Sequence, residues 1–179
     1  MSARWLIGVD IGGTNTVVAA VPFQGGLPAA LRSIETRPER GADAVVAEIA
    51  AAGEAVVAEA LAEEGGTRDD VLGVGIGCPG PLDLETGVVG ATPNLGWEGY
   101  PIRDRIGEAL GLPVSLDNDA NCATYGEWWQ GVGRGTRSLV GVTLGTGIGG
   151  GFIENGRLLR GASGSACEIG HTSRRFASI

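Results

Sequence analysis

Four short stretches of this chain carry residues whose type and spacing can do chemistry. Asp10 closes an apolar run and is followed by Gly12, Gly13 and Thr14. A carboxylate at a strand end, beside a turn bare of side chains, can hold a divalent cation through water against phosphate oxygens. Residues 145–151 read Gly-Thr-Gly-Ile-Gly-Gly-Gly, beginning with Gly145, Thr146 and Gly147. Successive backbone N–H groups in such a loop make a nest for phosphate. Five glycines in seven residues exceed what a tight turn needs, because each one costs conformational entropy. Asp117, Asn118 and Asp119 stand between an apolar run and a helical pattern. A helix cap needs one such residue, and a carboxylate among the others can take a proton from a substrate hydroxyl. Glu168 and His171 lie at i and i+3 after a Gly/Ser/Ala loop, a pairing suited to contact with hydroxyls or a metal.

Gly145, Gly147 and Gly150 also fit G-x-G-x-x-G, with Glu168 about 20 residues on, where a dinucleotide fold keeps its ribose-binding acid. That motif must open a helix whose N-terminus meets the pyrophosphate. Here it runs into Phe152-Ile153-Glu154-Asn155-Gly156, and Asn-Gly is a hairpin signal. A phosphate loop between two strands is therefore favoured over a dinucleotide site. Composition narrows the choice further. Among 179 residues the 13 basic ones are all Arg, against 21 acidic, giving a net charge of −8. Without Lys there is neither a Walker A loop nor the strand lysine of a protein kinase. The negative balance argues against nucleic acid and anionic membranes as partners. Three cysteines without a Cys-x-x-Cys pair suit a reducing compartment. No signal-peptide pattern and no bilayer-length apolar run is present, so a soluble, cytoplasmic protein is expected.

These residues need positioning elements. Residues 5–10 and 16–21 read as strands joined by the Gly-Gly turn, with a third strand over 31–36. Residues 42–64 carry Val45, Ile49, Ala52 and Val56, and Val46, Ala50, Gly53 and Val57, at helical spacing. Gly65 ends that helix. Strands are expected over 71–78, 88–93 and 113–116, and helices over 101–110 and 118–131. A strand over 137–144 precedes the glycine loop, one resumes at Phe152, and its return follows Asn155-Gly156. A Gly-rich hairpin opening each half suggests a duplicated unit.

Five blocks then coincide in order: Val9 through Thr16, Gly77 through Asp83, Asp117 through Asn121, Leu144 through Gly151, and Glu168 through Thr172. Together they resemble the ROK family (repressors, open reading frames, kinases), and within it the bacterial ATP-dependent glucokinases. The resemblance implies an α/β, actin-like/hexokinase-like fold of two ribonuclease H-like domains. Residues 1–116 would form the first domain, complete, and 117–179 an interdomain helix and the start of the second. It implies phosphoryl transfer from ATP with Mg²⁺ to a hexose, most simply glucose. Asp10, Gly12, Gly13, Thr14, Gly145, Thr146 and Gly147 would face the ATP phosphates. Asn118, Asp119, Glu168 and His171 would contact sugar hydroxyls, with Asp119 the general base and Gly80 and Asn94 lining the pocket. Homodimers are usual in the family.

The chain departs from that pattern in three ways. Family members run to roughly twice its length, as two full domains require. The Cys-rich run that binds structural zinc together with the equivalent of His171 does not follow here, so the zinc would lack its other ligands. Cys167 stands where family members usually have Gly. A C-terminally truncated chain with little activity of its own is therefore expected, ordered mainly over residues 1 to about 135 and with apolar strand faces around Val140, Val142 and Phe152 uncovered. A non-catalytic remnant is the alternative, and a sugar-responsive regulator lacking its DNA-binding domain a weaker one.

Overall fold

Apolar side chains at every second position of β1 (Trp5–Ile11) turn Trp5, Ile7, Val9 and Ile11 to one buried face. The computed structural model describes residues 4–145, 147–162, 164 and 166–171. After β1 the chain runs through β2 (Asn15–Pro22), β3 (Ala30–Glu35), α1 (Ala42–Glu64) and β4 (Val71–Cys78). A small hairpin of β5 (Leu82–Asp83) and β6 (Val88–Val89), then α2 (Ile102–Leu110), lead into β7 (Val114–Asn118). These strands make one five-stranded sheet in the order β3-β2-β1-β4-β7. Its first three strands are antiparallel, and β1, β4 and β7 run parallel.

Both stripes expected on α1 are used. Val45, Ile49, Ala52 and Val56 are buried, as are Val46, Gly53 and Val57. A side chain such as Ile49, fully removed from water, contributes about 1.5–3 kcal/mol. Gly53 faces both neighbours of the helix: a Cβ there would stand 3.4 Å from Leu110 of α2 and 3.6 Å from Ile7 of β1, ordinary van der Waals contact. The N–H of Gly65, at φ 79°, closes the helix on the Leu61 carbonyl at 3.0 Å.

Two boundaries differ from expectation for a physical reason. The strand anticipated over 88–93 stops at Val89, because β5 offers partners only to Val88 and Val89. From Thr92 the chain folds into a loop closed by the Thr92–Trp97 bridge. The strand anticipated to end at 116 continues through Asp117 and Asn118, because β4 supplies Gly77 and Cys78 as partners.

The chain divides into two compact units, residues 1–119 and 120–179, the division falling just inside α3 (Asp119–Trp129). In the second unit β8 (Ser138–Leu144), β9 (Ile148–Glu154) and β10 (Arg157–Leu158) form an antiparallel sheet in the order β10-β9-β8. Regular structure thus extends past the point near residue 135 where order was expected to end. Asn155 (φ 50°) and Gly156 (φ 75°) both take the left-handed conformation that a two-residue hairpin turn demands. The sheet repeats the antiparallel connectivity of β1–β2–β3, in keeping with the duplication read from the sequence. Val140, Val142, Leu144 and Ile148 are exposed, by 51–80%, whereas Phe152 is half-buried.

A glycine slot seats α3 on this sheet. Gly141 and Gly151 are opposite one another in the β8–β9 ladder, and a Cβ on either would run into the Thr124 side chain. Thr124 is itself tied to the Ala120 carbonyl one turn back, at 2.8 Å. Replacing Gly141 by Ala is expected to cost about 1–3 kcal/mol, as overpacking of a closed contact does. Thermal and denaturant unfolding would measure it, and an unchanged midpoint would refute the slot.

Candidate functional site

The first unit brings its candidate residues Asp10, Asn118 and Asp119 to the carboxyl ends of its parallel strands, where α/β sheets place ligands. Asp10 pairs with Gly77, and Gly77 with Asp117, across β1, β4 and β7. The preceding row, Val9, Ile76 and Leu116, is buried in the core. Alternation therefore puts Asp10, Gly77 and Asp117 on the opposite face. Asp117 accepts the Asn118 backbone N–H at 2.8 Å, supporting the turn into α3. Asp119 follows in the first turn of that helix. Asp10, Asn118 and Asp119 are thus brought together in one unit by three strand ends. The glycines of β4 were the unread signal: Gly75 and Gly77 leave the central strand of this face without side chains.

Asp10 remains accessible, yet its pKa is raised, first by loss of hydration and then by the negative charge of Asp119. Two carboxylates in electrostatic reach, beside a bare turn, suit Mg²⁺, which needs only one or two protein carboxylates along with water and phosphate. Such an ion would neutralise charge on a phosphoryl group. Among the described residues no three His, Cys, Asp or Glu side chains converge to hold a metal.

The turn after Asp10 is clamped by a residue that sequence reading passed over. Buried Thr36 donates its N–H to the Thr14 carbonyl at 2.9 Å and its hydroxyl to the Gly12 carbonyl at 2.7 Å, and its hydroxyl lies 2.9 Å from that of Thr16. Thr14 is left exposed at the tip. Gly80, at φ 97°, lies so close to Thr92 that a side chain would collide with it. It thereby supports the loop on which Asn94 stands exposed.

In the second unit the glycines sort into two kinds. Gly149, Gly150 and Gly151 belong to β9 rather than to a free loop, because each is pressed against a neighbour. A Cβ on Gly149 would meet the Thr143 hydroxyl at 2.6 Å, and one on Gly150 the Cys167 carbonyl at 2.6 Å. Gly145 and Gly147 differ: a Cβ on either meets nothing within 4 Å among the described residues. The Gly145 N–H donates to the Gly147 carbonyl at 2.9 Å. Thr146 lies outside the described residues. Glu168 and His171 sit in a tight turn against β9, the His171 N–H bonded to the Glu168 carbonyl at 3.0 Å. Cys167 precedes them at φ 65°, a left-handed conformation that glycine accepts without the Cβ penalty.

Residues 6–178 match the family model described as the ROK family. The chain belongs to the ROK family. Its fold is the actin-like α/β fold of ROK kinases. It is 39% identical over 171 residues to a glucokinase of Halalkalibacterium halodurans, covering 96% of this chain and 50% of that one. A glucokinase of Streptomyces griseus solved with glucose and AMPPNP superposes with a TM-score of 0.79 at 39% identity, covering 94% of this chain and 50% of the other. ROK relatives also include a xylose repressor of Caldicellulosiruptor bescii, 41% identical over 110 residues, 62% of this chain and 28% of that one. This ROK chain spans about half the length of the glucokinases it matches.

The raised pKa of Asp10 has a thermodynamic consequence. The folded chain holds that proton more tightly than the unfolded chain, so the ionised group costs stability above its raised pKa. The cost vanishes below the ordinary aspartate value. Asp10→Asn is expected to raise Tm at about pH 7, with the gain over the unsubstituted protein fading to zero below about pH 4. Paired melting curves across pH check this, and a gain independent of pH would overturn it.

Proposed function

We propose that this chain carries the sugar-binding and phosphate-binding elements of an ATP-dependent hexose kinase, with glucose as the acceptor. One observation carries the reading: Asp119 directly follows Asn118 at the end of β7 and acts electrostatically on Asp10 at the end of β1. A base for the acceptor hydroxyl and a cation-binding carboxylate belong side by side in phosphoryl transfer. Glucokinase relatives and the complex with glucose and AMPPNP support it. In this reading residues 1–116 form one ribonuclease H-like domain, and residues 117–179 hold the interdomain helix and the opening of the next.

Phosphoryl transfer passes through a loose transition state, so positioning and charge neutralisation do most of the work. Asn118, Asn94, Glu168 and His171 hydrogen-bond sugar hydroxyls and fix the ring. Asp119 accepts the proton of the attacking hydroxyl as its oxygen bonds the γ-phosphorus of ATP and the bond from that phosphorus to ADP breaks, ADP leaving with the electron pair. The turn of Gly12, Gly13 and Thr14, held by Thr36, and the open backbone at Gly145 and Gly147 present N–H groups to phosphate oxygens. Bound Mg²⁺, held by Asp10, would neutralise charge on the phosphates. The lack of any described atom within 4 Å of a Cβ at Gly145 or Gly147 supports this assignment, since packing among the described residues does not call for glycine there.

The test is a coupled glucose 6-phosphate assay with calorimetric binding. It is run on this chain and on a chimera in which residues 1–179 replace the matching half of a glucokinase relative. Asp119→Ala is expected to lower kcat of the chimera by about 10²–10⁴ while AMPPNP affinity is kept. Gly147→Val is expected to weaken AMPPNP more than glucose. Turnover surviving Asp119→Ala within a few-fold, or nucleotide affinity indifferent to Gly147→Val, would overturn the reading.

A further inference from the structure

Neither Gly12 nor Gly13 has positive φ, so what excludes a side chain from each is space rather than backbone conformation. The two are crowded by different partners. A Cβ on Gly12 would stand 2.6 Å from the Asn15 carbonyl oxygen, the acceptor of Gly12's own N–H at 3.0 Å. That glycine serves the hairpin itself. A Cβ on Gly13 would stand 3.3 Å from the carbonyl oxygen of Asn94 and 3.4 Å from its Cβ. That glycine serves a contact with a loop distant in sequence.

The partner loop is well tethered. The Thr92 N–H donates to the Trp97 carbonyl at 2.9 Å, and the N–H groups of Leu95 and Gly96 both donate to the Thr92 carbonyl, at 3.2 and 2.8 Å. Leu95 and Trp97 are buried at 2% and 5% exposure. Pro93 and Asn94 form the exposed apex. A loop pinned at Thr92, Leu95 and Trp97 has little freedom left except at that apex, and the apex is where Gly13 meets it.

We propose that Gly13 is a positioning residue for the sugar. By presenting no side chain it lets the phosphate-binding turn bed on the Asn94 backbone, so that the turn and residues 92–97 are held as one surface. A ligand that orders either segment then orders the other, and the coupling is reciprocal for binding. This deepens the kinase reading and rests on it for the roles of Asn94 and of the turn.

Gly13→Ala puts a methyl group where Asn94 must yield by a few tenths of an ångström. In hydrogen exchange on the 179-residue protein, the amides of Thr92, Leu95 and Gly96 are expected to exchange about tenfold faster in Gly13→Ala, the size of a one-methyl overpacking effect. Amides of the β1–β2 ladder stay unchanged. Glucose affinity falls about tenfold by the same reasoning, and the faster exchange is present before any ligand is added. Gly12→Ala is the contrast: it breaks the hairpin bond and weakens AMPPNP. Unaltered exchange of residues 92–97 in Gly13→Ala, or unaltered glucose affinity, would overturn the coupling. Failure of the kinase reading has a separate signature: no protection of residues 92–97 when glucose is added to the unsubstituted chain. That result also removes the sugar role proposed for Gly13.

Discussion

Everything proposed for the first unit depends on the parity of three adjacent strands. Val9, Ile76 and Leu116 must leave water together, because they stand in one row of the sheet and face α1 and α2. Once that row is buried, the next row cannot choose its side. Asp10, Gly77 and Asp117 emerge on the other face, with a glycine between two carboxylates. A slip of one residue in β1 would bury Asp10 and expose Val9, trading a hydrophobic gain for a buried charge. The chemistry is thereby locked in register by hydrophobic burial that takes no part in it.

The glycines show how one residue type answers different demands. Gly65, Gly80 and Gly156 are required by positive φ. Gly141, Gly149 and Gly151 are required by neighbouring side chains. At Gly145 and Gly147 no described atom would meet a Cβ. Counting glycines in a loop cannot separate these demands, so residues 145–151 looked like one phosphate nest when three of the five glycines are strand positions packed against Thr143, Thr124 and Cys167.

Much of the architecture was legible because the periodic signals were strong. Helix α1 was read to the residue from two apolar stripes and a terminal Gly-Gly, and Asn155-Gly156 gave its turn directly. What was misplaced depended on partners distant in sequence. β6 is short and β7 long because of what β5 and β4 offer them, and no local pattern records that. The candidate residues were found as short polar or glycine-rich groups, whereas Thr36 was missed because a lone threonine at a strand end carries no signal of its own. Only the fold puts it against Gly12, Thr14 and Thr16.

The slot that receives Thr124 bears on how tolerance to substitution in this chain should be interpreted. Gly141 and Gly151 are barred from every larger residue by a threonine on the helix that Asp119 begins. A survey of tolerated substitutions would score them as severely as Asp10 or Asp119, although no catalytic atom touches them. Intolerance at Gly141 or Gly151 is therefore a statement about the thickness of a helix–sheet seam and not about a ligand.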